Sequence, residues 1–174
     1  SEYITPSDAE CKKIKKRFEI EAEPFFAYTG NIEPRKNIVT ILKAFEIACD
    51  RLDKNVSLIL AGKLSWRTQP IIEAIEQNKY KDRIRLPGYI SEEEKKYLMH
   101  NACAFVFPSN YEGFGIPVVE AMSCGGIVIT ADNSSLKEVG GKAAFYVQKT
   151  DEVSQLADRM VQCFNLSDAE RKKL

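Results

Sequence analysis

An α/β fold, with a parallel sheet of about six strands and helices on both faces, is what this 174-residue sequence predicts. Two observations carry it. Short apolar runs alternate with longer amphipathic stretches, the mark of repeated β-α units. The longer stretches repeat their apolar residues at helical spacing, so each can cover one face of a sheet. After a polar N-terminal stretch, the runs Phe25 to Thr29, Val56 to Ala61, Arg83 to Leu86, Ala104 to Phe107, Ile127 to Thr130 and Ala144 to Val147 read as strands. Between the first two, Ile38, Ile41, Leu42, Phe45, Ala48 and Leu52 form a helical stripe. Ser91 with Glu94 makes a capping box that opens a helix carrying Tyr97 and Leu98. Val153, Leu156, Ala157, Met160, Val161 and Phe164 form a last stripe, and Ser167 with Glu170 forms a further capping box. That final helix is marginal at its visible length unless it docks or continues. Both ends of the chain therefore read as cut from a longer parent.

The length fits one core, and the share of hydrophobic residues, 44%, is that of an ordinary globular domain. Basic and acidic residues balance at 25 each, which argues against a nucleic-acid partner, since such binders carry a clustered basic excess. No apolar run is long enough to span a bilayer and no signal segment opens the chain, so the domain reads as cytoplasmic. Five scattered cysteines form no C-x-x-C pair and read as buried, reduced thiols. With His100 the single histidine, a histidine triad or multi-histidine metal site is excluded.

In a doubly wound sheet, ligands bind outside the carboxyl ends of the strands, so the loops there carry the function. The loop after the first strand, Gly30-Asn31-Ile32-Glu33-Pro34-Arg35-Lys36-Asn37, is neither G-x-G-x-x-G nor a P-loop. It places two cations where a helix is expected to begin. Cations there oppose the helix dipole unless an anion joins them. The loop after the fourth strand leads into Glu112-Gly113-Phe114-Gly115-Ile116-Pro117-Val118-Val119-Glu120. Its glycines let a ligand approach the backbone, and helix-terminal N–H groups suit a diphosphate. Glu120, about a turn into the helix, is placed to accept from ribose hydroxyls, and Glu112 to face the group beyond the diphosphate. Read without a ligand, the same residues are a solvated basic pair, a loop charge and a helix charge.

The stretch Glu112 to Glu120, continuing to Gly125, resembles the E-x7-E signature of retaining glycosyltransferases of family 4, which have two facing Rossmann-like domains (the GT-B architecture). Ile32 to Asn37 is similar to the phosphate loop of that family's mannosyltransferase-like members. Pro87-Gly88-Tyr89-Ile90-Ser91 and Ser134-Ser135-Leu136-Lys137-Glu138 extend the likeness over about residues 25 to 165. The resemblance implies a Rossmann-like, C-terminal donor-binding domain filling residues 1–174. It implies a GDP- or UDP-hexose as donor. Arg35 and Lys36 would hold the diphosphate as leaving group and Glu120 the ribose. Phe114 and Gly115 would offer amides, flanked by Gly30, Gly113 and Ile116; Glu112 would contact the transferred sugar, and Tyr89 and Ile90 would line the base pocket.

One position departs from the pattern. Many members carry arginine after the first glycine, where this chain has Asn31, which shifts phosphate charge onto Arg35 and Lys36. No D-x-D occurs, so the resemblance implies a metal-free site in which cations and a helix dipole stabilise the departing diphosphate. It also implies an N-terminal acceptor-binding domain in the same parent chain, a peripheral place for that parent on the inner face of the membrane, and no transfer by these residues alone. Two other readings stay open from the residues: a non-catalytic nucleotide-sugar or scaffold module, and a related epimerase or phosphorylase.

Overall fold

The expected strands form as β1 (Phe25–Thr29), β2 (Ser57–Ala61), β3 (Ile84–Gly88), β4 (Phe105–Phe107), β5 (Val128–Ala131) and β6 (Phe145–Val147). These come from a computed structural model that describes residues 7–20 and 24–173. The strands pair in the order β3-β2-β1-β4-β5-β6, every pair parallel. This is a Rossmann-like sheet, and its strand order reverses between β1 and β4. Residues of β1, β2, β4 and β5 are buried throughout, as strands covered on both faces must be. The third strand starts later than the sequence suggests because Lys81–Arg83 close a 3₁₀ turn, with the Arg83 amide donating to the Tyr80 carbonyl at 2.9 Å. Pro87 is tolerated there because β3 is an edge strand.

Among the described residues the helices are α1 (Asp8–Phe18), α2 (Ile38–Arg51), α3 (Gln69–Glu76), α4 (Glu92–Asn101), α5 (Ile116–Ser123), α6 (Ser134–Gly140), α7 (Val153–Phe164) and α8 (Asp168–Arg171). α2 packs with α3 and α7, and α5 packs with α4 and α6, giving two groups that flank the sheet. Within the polar N-terminal stretch, Asp8–Phe18 are helical. Ser7 and Glu10 form a complete capping box, and Ile14 and Phe18 bury the helix they open. Only two buried positions in eleven residues left that helix without a readable stripe. The capping boxes at Ser91 and Ser167 form as expected. Short α8 docks through Arg171, whose guanidinium donates to the carbonyls of Cys163 at 2.6 Å and Cys103 at 3.3 Å; Leu174 lies outside the described residues.

Aromatic rings stack in the core under the strand-order reversal. Phe105 and Phe107 stack at 5.9 Å between ring centroids, and Phe107 stacks on Tyr28 at 5.8 Å across β1 and β4. No disulfide forms among the described residues, which include all five cysteines, and all but Cys11 are buried. Burial pushes the Cys49 thiol up to about 11 and the Cys163 thiol up to about 12, so both stay protonated and inert at neutral pH. His100 is structural too: its Nδ1 lies 2.6 Å from the Cys124 carbonyl, tying the end of α4 to the end of α5.

Candidate functional site

The loops after β1 and β4 meet at the reversal, where an open α/β sheet leaves a crevice. Backbone bonds fix the loops along this edge. The Gly30 amide donates to the Ala61 carbonyl at 3.0 Å, and the Gly62 amide to the Gly88 carbonyl at 2.8 Å. Gly62 cannot be replaced without moving the first loop, because a Cβ there would sit 1.9 Å from the Gly30 oxygen. Buried Tyr28 donates its hydroxyl to the Asn31 carbonyl at 2.8 Å, and burial holds that phenol well above its ordinary pKa. The first loop is therefore braced from the core and from the neighbouring strand.

Arg35 and Lys36 do not begin α2. Pro34–Lys36 form a 3₁₀ turn, and Asn37 in the left-handed region (φ 56°) separates it from the helix that starts at Ile38. The expected clash with the dipole of that helix is relieved in this way. Lys36 is buried, its ammonium 4.8 Å from the centre of the Phe107 ring and 2.5 Å from Glu112 Oε1. Arg35 lies nearer solvent and spans the Tyr111 carbonyl (2.9 Å), Glu112 (3.3 Å) and Glu33 (2.6 Å). Ser135, from α6, donates to the Glu112 carbonyl at 3.1 Å. Both cations thus share one carboxylate, that of Glu112. Glu112, expected to contact the transferred sugar, lies here against both cations of the first loop.

Gly115, in the left-handed region (φ 82°), starts α5, and a Cβ there would approach Leu136 to 2.8 Å. Pro117 occupies the first turn, where a proline is tolerated. Gly113, Phe114 and Ile116 are exposed around this helix start, as are Asn31 and, on the loop after β3, Tyr89; Ile90 is half-buried. Glu120 is engaged from the neighbouring helix. Its Oε1 accepts from Lys95 of α4 at 2.9 Å, and Lys95 also reaches Glu92 at 2.9 Å. Burial works against the Lys95 ammonium, but the two carboxylates outweigh it and its pKa lies above the usual lysine value. A cleft of about 340 Å³ runs between α4 and α5, bordered by Lys95, Met99 and Glu120 among others. Lys95 escaped the sequence reading because its partner is 25 residues away and no local spacing marks the pair. Glu33 and Ser135 sat inside stretches already singled out, without a reason to choose them.

A six-stranded parallel sheet with its functional loops gathered at one strand-order reversal defines a Rossmann-like α/β domain of the GT-B type. The chain belongs to the group 1 glycosyl transferases, whose family model matches residues 10–174. It is 36% identical over 151 residues to O-antigen chain mannosyltransferase B of Escherichia coli, covering 87% of this chain and 40% of that protein. It is 35% identical over 106 residues to the GDP-mannose:cellobiosyl-diphosphopolyprenol alpha-mannosyltransferase of Xanthomonas oryzae pv. oryzae, covering 60% of this chain and 28% of that protein. The fold is also that of Anabaena HepE solved with UDP-glucose, with a TM-score of 0.79 at 20% identity over 95% of this chain and 45% of HepE. The chain thus spans less than half the length of these proteins. Among the described residues, no helix is long and apolar enough to cross a membrane.

Proposed function

We propose that this domain binds the nucleotide-sugar donor of a retaining, family 4 mannosyltransferase. The acceptor would then be held by an N-terminal domain of a longer parent chain, peripheral on the inner face of the membrane. The observation that carries the reading is the buried Lys36 ammonium, which sits with Arg35 at the strand-order reversal beside the start of α5. A cation in that position, already held by Phe107 and one carboxylate, suits a diphosphate. On donor binding the diphosphate takes over Lys36 and Arg35, and Glu112 is released to accept from hydroxyls of the sugar. Glu120 accepts from the ribose, Tyr89 and Ile90 flank the base, and Phe114 and Gly115 present their amides to the phosphates. Gly30, Asn31, Gly113 and Ile116 complete the rim. GDP-mannose is the donor favoured by the named activities of the relatives.

Transfer with retention then follows by attack of the acceptor hydroxyl on the face the diphosphate leaves, the leaving phosphate taking the proton. Lys36, Arg35 and the α5 dipole stabilise the charge that develops on that phosphate, and no metal is required. The domain alone binds donor but does not transfer, because positioning the acceptor is worth about 7–11 kcal/mol of barrier and belongs to the other domain.

Isothermal titration of the chain with GDP-mannose, UDP-glucose and ADP-glucose, with and without EDTA, tests this reading. GDP-mannose is expected to bind most tightly and equally with EDTA present. No heat from any sugar nucleotide would overturn the donor site, and binding lost with EDTA would overturn the metal-free leaving-group chemistry.

A further inference from the structure

α1 precedes the whole sheet, yet its last turn reaches the loop that follows β3. Arg17 donates from Nη2 to the Tyr89 carbonyl at 2.9 Å, and from Nη1 to Glu94 Oε1. Glu94 completes the capping box of α4: its Oε2 accepts from the Ser91 amide at 2.8 Å, and its amide donates to the Ser91 hydroxyl at 3.2 Å. One guanidinium therefore grips both ends of the turn from Tyr89 to Ser91. The same turn is tied on its strand side by the bond from Gly62 to the Gly88 carbonyl. α1 is itself anchored, by buried Ile14 and Phe18 and by Glu19, which lies 3.0 Å from Arg85 of β3. Within a turn so held, Tyr89 remains 85% exposed.

We infer that Arg17 is a positioning residue for the nucleoside end of the donor site, holding the Tyr89 backbone so that the exposed ring can stack on a nucleobase. The inference rests on the proposal that Tyr89 and Ile90 flank the base. An exposed ring gains affinity by stacking only to the extent that its backbone need not be ordered on binding, and the α1 clamp does that ordering in advance. The fork of an arginine is what the geometry needs. A guanidinium serves a carboxylate and a carbonyl at once, whereas a lysine ammonium is a single point of charge. The segment before β1 would thereby belong to the donor site rather than only tethering it.

The test is titration of the chain and three variants, Arg17→Ala, Arg17→Lys and Tyr89→Ala, with GDP, UDP and inorganic pyrophosphate. Arg17→Ala is expected to weaken the tighter-binding nucleoside diphosphate about fivefold and leave pyrophosphate unchanged. Arg17→Lys, which keeps the charge facing Glu94 but gives up the Tyr89 carbonyl, should recover part of that loss and keeps the test valid if the alanine variant folds poorly. Loss in Tyr89→Ala with none in Arg17→Ala would overturn the role of Arg17 and leave the base site standing. No loss in Tyr89→Ala would overturn the base site, and the clamp with it. Equal weakening of nucleotide and pyrophosphate in Arg17→Ala would mean that Arg17 serves general folding and not the nucleoside.

Discussion

Glu112 and Glu120 are one residue type on either side of a helix start, yet the fold gives them opposite surroundings. The side chain of Glu112 is 12% exposed and faces a lysine that is 9% exposed; that of Glu120 is 39% exposed and faces one that is 20% exposed. The first pair lies between loops at the strand-order reversal, over the Phe107 ring. The second bridges two helices at the rim of an open cleft. Removing one partner of a buried pair strands a charge, whereas a surface pair contributes little either way. The side proposed for phosphate is consequently coupled to stability, and the side proposed for the nucleoside is nearly free of it.

The sharpest way to break that contrast is Lys36→Met, which keeps apolar contact with Phe107 and removes the charge. Stability in urea should fall by about 3 kcal/mol, because Glu112 keeps only the more exposed Arg35 as partner. Nucleoside diphosphate affinity should fall roughly ten- to a hundredfold, the loss of a charge-assisted contact. Adding Glu112→Gln should restore much of the stability and none of the binding. A double variant as unstable as Lys36→Met would mean that Lys36 stabilises by packing, and that the two sides do not differ in kind.

How much of this was legible in sequence differs between the two sides as well. The six strands could be read because buried parallel strands are nearly continuous apolar runs, and each run was bounded by loop residues, whereas their order, with its reversal between β1 and β4, comes only from the fold. Lys36, Arg35 and Glu112 stood out because glycine-rich loops and misplaced cations are local signals. What could not be read was the pairing, which joins residues 76 apart in the case of Lys36 and Glu112. Lys95 and Arg17 were illegible for the same reason: each is an ordinary solvated cation until α4 meets α5, or α1 meets the turn after β3. α1 itself hid behind its five basic residues from Lys12 to Arg17, though its Ser7 and Glu10 cap was in plain view.

A smaller effect separates the two glutamates directly. Glu120→Gln should change stability by less than about 1 kcal/mol, as expected for a half-exposed pair. It should nevertheless weaken a nucleoside diphosphate by about tenfold, a hydrogen-bond loss of about 1.4 kcal/mol, while sparing inorganic pyrophosphate. Glu112→Gln should retain the nucleoside diphosphate and impair only sugar-dependent steps in a full-length enzyme. Normal diphosphate binding in Glu120→Gln with weak binding in Glu112→Gln would reverse the assignments.

The smallest expected effect lies in the pH dependence of the nucleoside side, read as the difference in urea stability between the parent chain and Lys95→Met. Burial alone would lower the pKa of Lys95, but the hydrogen bonds to Glu120 and Glu92 carry it above the ordinary value. A group whose folded pKa is raised contributes stability that is fully present below its unfolded pKa, about 10.4 for lysine, and lost as pH climbs through the folded value. The difference between the two proteins, on the order of 0.2–1 kcal/mol, should therefore be flat across neutral pH and close only above about pH 10.4. Salt should shrink it throughout, since a partly exposed pair is screened within a Debye length of about 10 Å at 0.1 M. A difference that closes near neutral pH would mean that burial, and not the two carboxylates, governs Lys95. The ammonium would then be lost under working conditions, and Glu120, proposed to accept from the ribose, would lose the anchor that now sets its direction.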